Sequence, residues 1–287
     1  MSGAILEGVA PADSPTVMGV VNVTPDSFSD GGRFLDAGAA VGHALTLRDQ
    51  GATILDIGGE STRPGAQPVA EHEELERVIP VIEGIVAGAP EAQISVDTTK
   101  AAVARAAIAA GAGIVNDVSA LRTSPAMAGV VADSHVVCCL MHMLGEPRTM
   151  QRAPRYDDVV SDVKAFLEER LAFAVGEGIS EDRVWLDPGI GFGKTADHNL
   201  ELLARLGEIV AIGRPVVVGT SRKSFLGRLA GGRDVEHRLP GTIATNVLAL
   251  ERGARVFRVH DVAEVSDALT LAAATIAASS RPVRDHG

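Results

Sequence analysis

Residues 100–119, KAAVARAAIAAGAGIVNDVS, contain one complete unit of the predicted fold. Apolar residues at helical spacing over Lys100–Ala110 predict a helix. Gly111 follows its last turn, where glycine adopts a left-handed backbone at no steric cost. The apolar run Gly113–Ser119 then predicts a strand that is buried on both faces. A helix, a glycine and a buried strand in this order indicate the βαβ pattern of a parallel sheet.

The same pattern recurs along the rest of the chain. Helical spacing also marks Ala37–Gln50, Asp157–Glu177 and Thr242–Arg252, and a glycine follows each of these segments directly. Eight β-rich runs predict the strands. They are Thr16–Thr24, Thr53–Glu60, Gln93–Thr98, Gly113–Ser119, His135–Met143, Arg183–Pro188, Pro215–Ser221 and Arg255–Asp261.

Eight strands with their helices favour a closed (β/α)8 TIM barrel of the α/β class. This fold typically takes about 250 residues, and the chain has 287. An open doubly wound sheet has the same alternation and is the alternative, but no Gly-x-Gly-x-x-Gly motif follows the first strand. No Pro- or Ser-rich linker divides the chain. One barrel domain is therefore predicted over residues 16–280, with loose tails at residues 1–15 and 281–287.

Composition argues against several classes of protein. Hydrophobic residues make up 46% of the chain, which is enough for a full core and argues against a disordered chain. The net charge of -11 gives no electrostatic reason to bind nucleic acid. No apolar stretch reaches the roughly 20 residues that a membrane span needs, and Met1–Pro15 lacks the features of a signal peptide. We therefore expect neither nucleic acid nor a membrane as a partner.

The two cysteines, Cys138 and Cys139, are adjacent in a predicted strand. Neighbouring strand residues point to opposite faces, so neither a disulfide between them nor a metal pair is expected. A chain without disulfides is typical of a reducing compartment, so the predicted location is the cytoplasm.

Polar side chains are concentrated at the last residues of the predicted strands, which in a TIM barrel meet at the rim that carries the active site. A single strand-end aspartate is often a helix cap. Polar groups at nearly every strand end are costly to bury without partners or a ligand. The set is Asn22, Asp56, Glu60, Asp97, Asn116, Asp117, His142, Asp187, Arg258 and His260, with Ser221–Ser224 after the seventh strand. For Asp56, Asp117 and His142, a capping or supporting role is equally compatible with the pattern.

The hydrogen-bond acceptors of this set suit one part of a ligand. Asp97, Asn116 and Asp187 match a flat heterocycle rich in N–H groups. Asn22 offers one neutral oxygen, which suits Mg²⁺ if a diphosphate supplies the remaining ligands. Ser224 lies where a helix is predicted to begin, and backbone N–H groups there favour a carboxylate.

The cationic residues suit a different part of the ligand. Arg63, Arg258 and His260 match a phosphate or diphosphate. Residues 24–32 and 60–65 form loops rich in turn-forming residues. Phe28 is the aromatic residue of the first loop and indicates a lid that closes on a substrate. Packing of Phe28 on a neighbouring helix is the alternative.

Seven short motifs, in order along the chain, resemble those of the dihydropteroate synthase family. Residues 18–32, MGVVNVTPDSFSDGG, and residues 56–65, DIGGESTRPG, are similar to its first two signatures. The other motifs are SVDT at 95–98, NDVS at 116–119, DPGIGFGK at 187–194, SRKS at 221–224 and RVHD at 258–261. A resemblance that spans residues 18–261 in seven ordered motifs is specific.

The resemblance implies a homodimeric barrel that condenses 6-hydroxymethyl-7,8-dihydropterin diphosphate with 4-aminobenzoate. The products are 7,8-dihydropteroate and diphosphate, in folate biosynthesis. Mg²⁺ is the implied cofactor, with Asn22 as its protein ligand. The implied catalytic groups are Asp97, Lys223, Arg258 and His260. The implied pterin diphosphate site consists of Thr62, Asp97, Asn116, Asp187, Lys223, Arg258, Val259 and His260. The implied aminobenzoate site consists of Phe28, Arg63, Pro64, Phe192, Lys223 and Ser224.

Two other functions fit parts of this pattern. An inactive paralogue or a pterin-binding methyltransferase domain would keep the pterin residues, but it would not need the aminobenzoate residues. An aldolase would use Lys223 as a Schiff-base nucleophile. That function leaves Asn22 and the strand-end carboxylates without a role.

Overall fold

Strands and helices alternate along the chain in the computed structural model, which describes residues 14–23, 33–62 and 65–279 and gives the backbone alone for residues 33–36. The strands are β1 (Thr16–Asn22), β2 (Ile54–Gly58), β3 (Gln93–Asp97), β4 (Ile114–Asp117), β5 (Val137–Met141), β6 (Val184–Asp187), β7 (Val217–Val218) and β8 (Val256–Val259). The helices are α1 (Arg33–Asp49), α2 (Glu71–Gly88), α3 (Ala101–Ala110), α4 (Met127–Ser134), α5 (Val159–Gly176), α6 (Ala196–Ala204), α7 (Leu206–Val210), α8 (Ser224–Leu229), α9 (Leu239–Glu251) and α10 (Val262–Ser279). Nearly all of the two predicted tails lies outside the described residues.

The strands form one parallel sheet that closes into a barrel. Their order is β6-β5-β4-β3-β2-β1-β8-β7, so the first strand pairs with both the second and the last. The seam lies between β6 and β7, where Leu186 pairs with Val216 and its N–H donates to the Pro215 carbonyl at 2.9 Å. The predicted (β/α)8 barrel is confirmed, and the open doubly wound alternative is wrong.

The seventh strand is shorter than predicted. After Val218, the side chains of the next residues form hydrogen bonds with other side chains. The Thr245 hydroxyl donates to the Thr220 hydroxyl at 2.8 Å, and the Ser221 hydroxyl contacts the His260 ring at 3.0 Å. In the ladder itself, β7 contributes two residues, Val217 and Val218.

Side chains alternate along each strand between the barrel interior and the surrounding helices. The interior carries an apolar layer made of Met18, Ile54, Ile114, Val137, Cys139, Trp185, Val217 and Val256. The other set packs with the helices in the main core, and Cys138 belongs to it. The two adjacent cysteines therefore face opposite sides of the sheet, as predicted, and both are free and buried.

The polar strand-end residues lie two positions beyond this apolar layer. Asp56, Asn116, Asp187 and Arg258 each follow an interior apolar residue by two in sequence, so they point into the barrel mouth. Both sets therefore face the barrel interior, with the apolar residues deeper and the polar residues nearer the carboxyl ends of the strands.

Asp117 has the opposite parity and a different role. Its carboxylate accepts the backbone N–H groups of Ser119 and Leu121, both at 2.8 Å. It therefore holds the loop between β4 and α4, which was one of the two roles left open for it.

Candidate active site

A cavity opens at the carboxyl ends of the strands, over the apolar layer. Its volume is about 450 Å³, including space that is open to solvent. Strands β3, β4, β5, β6 and β8 contribute residues to its walls, and so do the segments that follow β2 and β7. The lining residues are Thr62, Asp97, Asn116, Val118, Met141, Asp187, Ile190, Phe192, Gly219, Ser221, Lys223, Arg258 and His260. Eight of the residues predicted for the site lie together here: Thr62, Asp97, Asn116, Asp187, Phe192, Lys223, Arg258 and His260.

Arg258 organises the side of the cavity next to β2 and β3. Its Nε donates to Asp56 Oδ2 at 2.7 Å, and one terminal nitrogen donates to Asp97 Oδ2 at 2.8 Å. Asp56 is fully buried and has no contact with the cavity, so it acts on the site through Arg258. Asn116 Nδ2 lies 3.5 Å from the same Asp56 oxygen. Burial raises the pKa of Asp97 to about 7, although the Arg258 guanidinium opposes this rise.

Asp187, Lys223 and Phe192 form the opposite side. Burial raises the pKa of Asp187, whose Oδ1 accepts the backbone N–H of Gly189 at 2.6 Å. The Lys223 ammonium lies 4.1 Å from the centre of the Phe192 ring, within cation–π distance. Burial lowers the pKa of Lys223 to about 8, and the nearby Asp187 carboxylate partly opposes this. This side therefore offers an acceptor, a donor and an aromatic face.

Ser221 holds the imidazole of His260. Its hydroxyl oxygen accepts the backbone N–H of His260 at 3.1 Å and lies 3.0 Å from Nδ1 of the ring. A donor hydroxyl in this contact corresponds to the ring tautomer with its proton on Nε2, and an acceptor hydroxyl corresponds to the tautomer with its proton on Nδ1.

Three residues of the predicted sites have no place in the cavity wall. Asn22 is half-buried at the end of β1, and its neighbour Gly58 pairs with Asp97 in the next strand. Ser224 is exposed as the first residue of α8. The Val259 side chain is fully buried in the core between sheet and helices, because its strand position points away from the interior. Phe28, Arg63 and Pro64 lie outside the described residues.

Four residues that line the cavity were not among the residues predicted from the sequence: Val118, Met141, Ile190 and Gly219. The apolar members are indistinguishable from core residues in the sequence, because they belong to runs of the same composition. Their strand parity is the signal that was available. Met141 lies two residues after the interior Cys139, and Gly219 lies two residues after the interior Val217.

A partly buried cluster of charges lies beside the loop that carries Thr62. Lys100 forms ion pairs with both Glu60 and Glu74. Glu74 is fully buried on α2, while Glu60 begins the loop after β2 and its Oε1 accepts the Val69 N–H at 3.4 Å. A second cavity of about 1030 Å³, including space open to solvent, lies beside this cluster and shares Thr62, Asp97 and Val118 with the first.

The arrangement of the first cavity suits a flat polar ring with an anionic substituent. Carboxylate and amide groups from three strands can accept its N–H groups, while Val118, Met141 and Ile190 contact its faces. Arg258 and His260 place cationic and N–H donors at the mouth, where an anion can be stabilised.

Comparisons with known proteins point to one family. The model of the pterin-binding enzyme family matches residues 18–260. Dihydropteroate synthase of Escherichia coli is 48% identical over 264 residues, which cover 92% of this chain and 93% of that protein. The Xanthomonas albilineans dihydropteroate synthase structure with 4-aminobenzoic acid superposes with a TM-score of 0.87 at 51% identity, covering 94% and 95% of the two chains. The same enzyme in complex with 7,8-dihydropteroate gives 0.84 at 48% identity, covering 95% and 97%.

Proposed function

This chain belongs to the pterin-binding enzyme family as a dihydropteroate synthase, and we propose that the cavity around Arg258 is where its two substrates meet. The reaction condenses 6-hydroxymethyl-7,8-dihydropterin diphosphate with 4-aminobenzoate in folate biosynthesis. The observation that carries the proposal is the convergence of Asp97, Asn116, Asp187, Lys223 and Arg258 on a single cavity.

The pterin ring binds deepest, against the apolar layer. Its 2-amino and ring N–H groups donate to the acceptors Asp187 and Asn116, and Lys223 donates to the ring carbonyl. Burial keeps water out of these contacts, which strengthens each hydrogen bond. Asp97 lies at the opposite wall, beside Arg258.

The diphosphate group binds at the mouth. Arg258 uses two of its five N–H groups on Asp56 and Asp97, which orients the guanidinium and leaves three for phosphate oxygens. His260 donates from Nε2, and Thr62 adds a hydroxyl from the loop after β2. Val259 contributes through its backbone, since its side chain packs in the core.

The aminobenzoate ring packs on Phe192 beside Lys223, and Ser224 receives its carboxylate. The resemblance adds Phe28, Arg63 and Pro64 to this subsite. In this position the amino group of the substrate points toward the methylene carbon of the pterin.

The reaction breaks the bond from the pterin methylene carbon to the diphosphate oxygen and forms a bond from that carbon to the amino nitrogen. The amino nitrogen releases one proton to solvent as the new bond forms. An aryl amine is neutral at pH 7, so it needs no strong base, and the barrier lies in expelling diphosphate. Arg258 and His260 stabilise the charge that develops on this group. The conjugated ring stabilises a cationic methylene, and Asp97 supports that charge electrostatically, so we favour a loose, dissociative displacement.

Mg²⁺ fits the rim at the end of β1. Asn22 provides a neutral oxygen there, which suits a hard cation whose other ligands are diphosphate oxygens and water. When bound, the ion would neutralise part of the charge on the leaving diphosphate.

We further propose a cytoplasmic homodimer. Both cysteines are free thiols, which fits a reducing compartment.

Among the described residues, α10 is the one helix whose length and composition would allow it to cross a membrane. It packs against α9, and the two helices expose Leu248, Leu271 and Ile276, so we assign this apolar face to a second copy of the chain. Leu271→Asp should convert a dimer into a monomer in analytical ultracentrifugation, and a monomeric wild type would refute the assignment.

The central test is turnover by the purified chain. Diphosphate release should require both substrates and Mg²⁺. Asp187→Asn should remove most of this activity, while Asp182→Asn should keep it, because Asp182 is exposed at the opposite end of β6. Pterin binding without turnover, or equal activity of the two variants, would contradict the proposed site.

A further inference from the structure

Lys194 is a lysine with almost no exposure, at 1%, in the loop between β6 and α6. Its ammonium nitrogen lies 2.8 Å from His142 Nδ1 and donates to the carbonyls of Gly189 at 2.9 Å and Phe192 at 3.0 Å. Burial lowers the pKa of Lys194 to about 7, and in its protonated form the amine has three N–H donors for the three acceptors that surround it. None of these partners is a carboxylate, so the side chain is held by neutral groups alone.

His142 is fixed as the third acceptor. Its ring packs edge-to-face on Phe166 with centroids 4.8 Å apart, and its backbone N–H donates to the Asp187 carbonyl at 2.9 Å. Burial, with Lys194 close by, lowers the pKa of His142 to about 2, which keeps the ring neutral. The end of β5 therefore presents a rigid acceptor to the lysine.

The carbonyls that Lys194 binds belong to the two ends of a short loop. Gly189 is the residue whose N–H orients the Asp187 carboxylate, and Phe192 is the residue that Lys223 covers in the cavity wall. Lys194 is not itself part of that wall. From outside the cavity, Lys194 therefore holds two backbone positions that matter to it: Gly189, which orients the Asp187 carboxylate, and Phe192, whose ring forms part of the wall.

We propose that Lys194 is a positioning residue for the condensation, which fixes Phe192 and Asp187 through the loop carbonyls and His142 without touching either substrate. The inference rests on the proposed function, since it assigns the Phe192 wall to aminobenzoate. Removal of the lysine would let the loop shift, and displacement of a binding group by about 1 Å can cost on the order of a hundredfold in rate.

The outer side of the loop has its own ties, so the loss of Lys194 would displace the loop and leave it folded. Tyr156 donates to the Gly193 carbonyl at 2.8 Å, and Asn199 accepts the Gly191 N–H at 2.7 Å. The expected consequence is therefore a change in substrate affinity and rate in a folded enzyme.

The test compares Lys194→Met with Ile82→Ala in the full chain. Methionine keeps an unbranched apolar side chain and removes all three donors. Ile82 is fully buried on α2 in the core behind the sheet, so its variant loses stability without touching the loop. Both variants are assayed at a temperature where circular dichroism shows them folded.

Lys194→Met should raise the KM for 4-aminobenzoate about tenfold and lower kcat, with a smaller change in the dissociation constant of the pterin substrate. Ile82→Ala should leave all three values unchanged. Equal kinetic changes in the two variants, or an unchanged KM in a folded Lys194→Met, would overturn the inference. An inactive wild type would instead refute the proposed function.

A second variant keeps the inference testable if Lys194→Met does not fold. His142→Leu removes one acceptor and leaves both carbonyl bonds of the lysine. It should raise the KM for 4-aminobenzoate by about threefold, the effect of one weakened hydrogen bond. An unchanged KM in this variant would also overturn the inference.

Discussion

Gly189→Ala is the substitution for which the structure gives the sharpest expectation. Gly189 has a φ of 65°, and a Cβ added to it would lie 1.8 Å from the carbonyl oxygen of His142. Real Cβ contacts essentially never fall under 3.0 Å, and the obstacle is backbone at the end of β5. The loop must therefore move by more than about 1 Å to accept a methyl group.

Two costs add in this variant. A non-glycine residue in the left-handed region costs about 1–2 kcal/mol. Forcing an extra methyl group into a packed site costs about 1–3 kcal/mol more. The expected loss in the free energy of unfolding is therefore about 2–5 kcal/mol. The displaced N–H of Gly189 would also release the Asp187 carboxylate, so the KM for the pterin substrate should rise.

Gly213→Ala isolates the first cost. Gly213 has a φ of 89°, and its added Cβ would meet nothing within 4 Å. Urea unfolding should show a loss of about 1–2 kcal/mol for this control, with unchanged kinetics. If the two variants lose the same stability and keep the same KM, the close approach of Gly189 to His142 has no energetic effect and the reasoning is refuted.

Three further predictions concern charged and polar groups near the cavity. Lys100→Met should lower the free energy of unfolding by about 3–5 kcal/mol in denaturant titrations, because it leaves the fully buried Glu74 without its cation; a loss under about 1 kcal/mol would contradict this. Because the folded-state pKa of Asp97 is about 7, above its unfolded value, the folded chain binds more protons than the unfolded chain between about pH 4 and 7. The stability contribution of Asp97 therefore falls as pH rises through that window, by at most about 1.4 kcal/mol per pH unit, and Asp97→Asn should become more stable relative to wild type from pH 5 to pH 8. A constant difference across these pH values would count against the raised pKa. Ser221→Ala should raise the KM for the pterin diphosphate about 3–10-fold, the effect of one hydrogen bond to His260, and an unchanged KM would show that the ring needs no such support.

The barrel could be predicted from the sequence because each of its repeating units is marked by residues that are close together in the chain. Each unit carries its own helix spacing, stop glycine and apolar run, as Lys100–Ser119 shows. Gly111 ends α3 with a φ of 121°, as its position predicted. The convergence of strand-end groups such as Asn116 and Arg258 also followed, because a closed sheet brings all carboxyl ends to one rim.

Pairwise contacts in the site could not be predicted in this way. The sequence does not reveal that Arg258 bonds to Asp56 and Asp97, because such choices depend on rotamers set by packing. Asn116 and Asp117 are both polar and are adjacent in sequence, yet strand parity directs one side chain into the cavity and the other toward a loop. Nor does the sequence indicate that Lys194 is buried, since lysine is almost always exposed.

The ion pair between Arg258 and Asp56 joins residues 202 positions apart in the chain. Two buried acids on early strands therefore lack their counter-charge until the final strand docks against the first. A truncated chain that ends before β8 would carry uncompensated carboxylates inside an unclosed sheet. The Arg258 guanidinium is therefore needed both for the active site and for neutralising the buried acids of the closed barrel, and a chain without β8 lacks both.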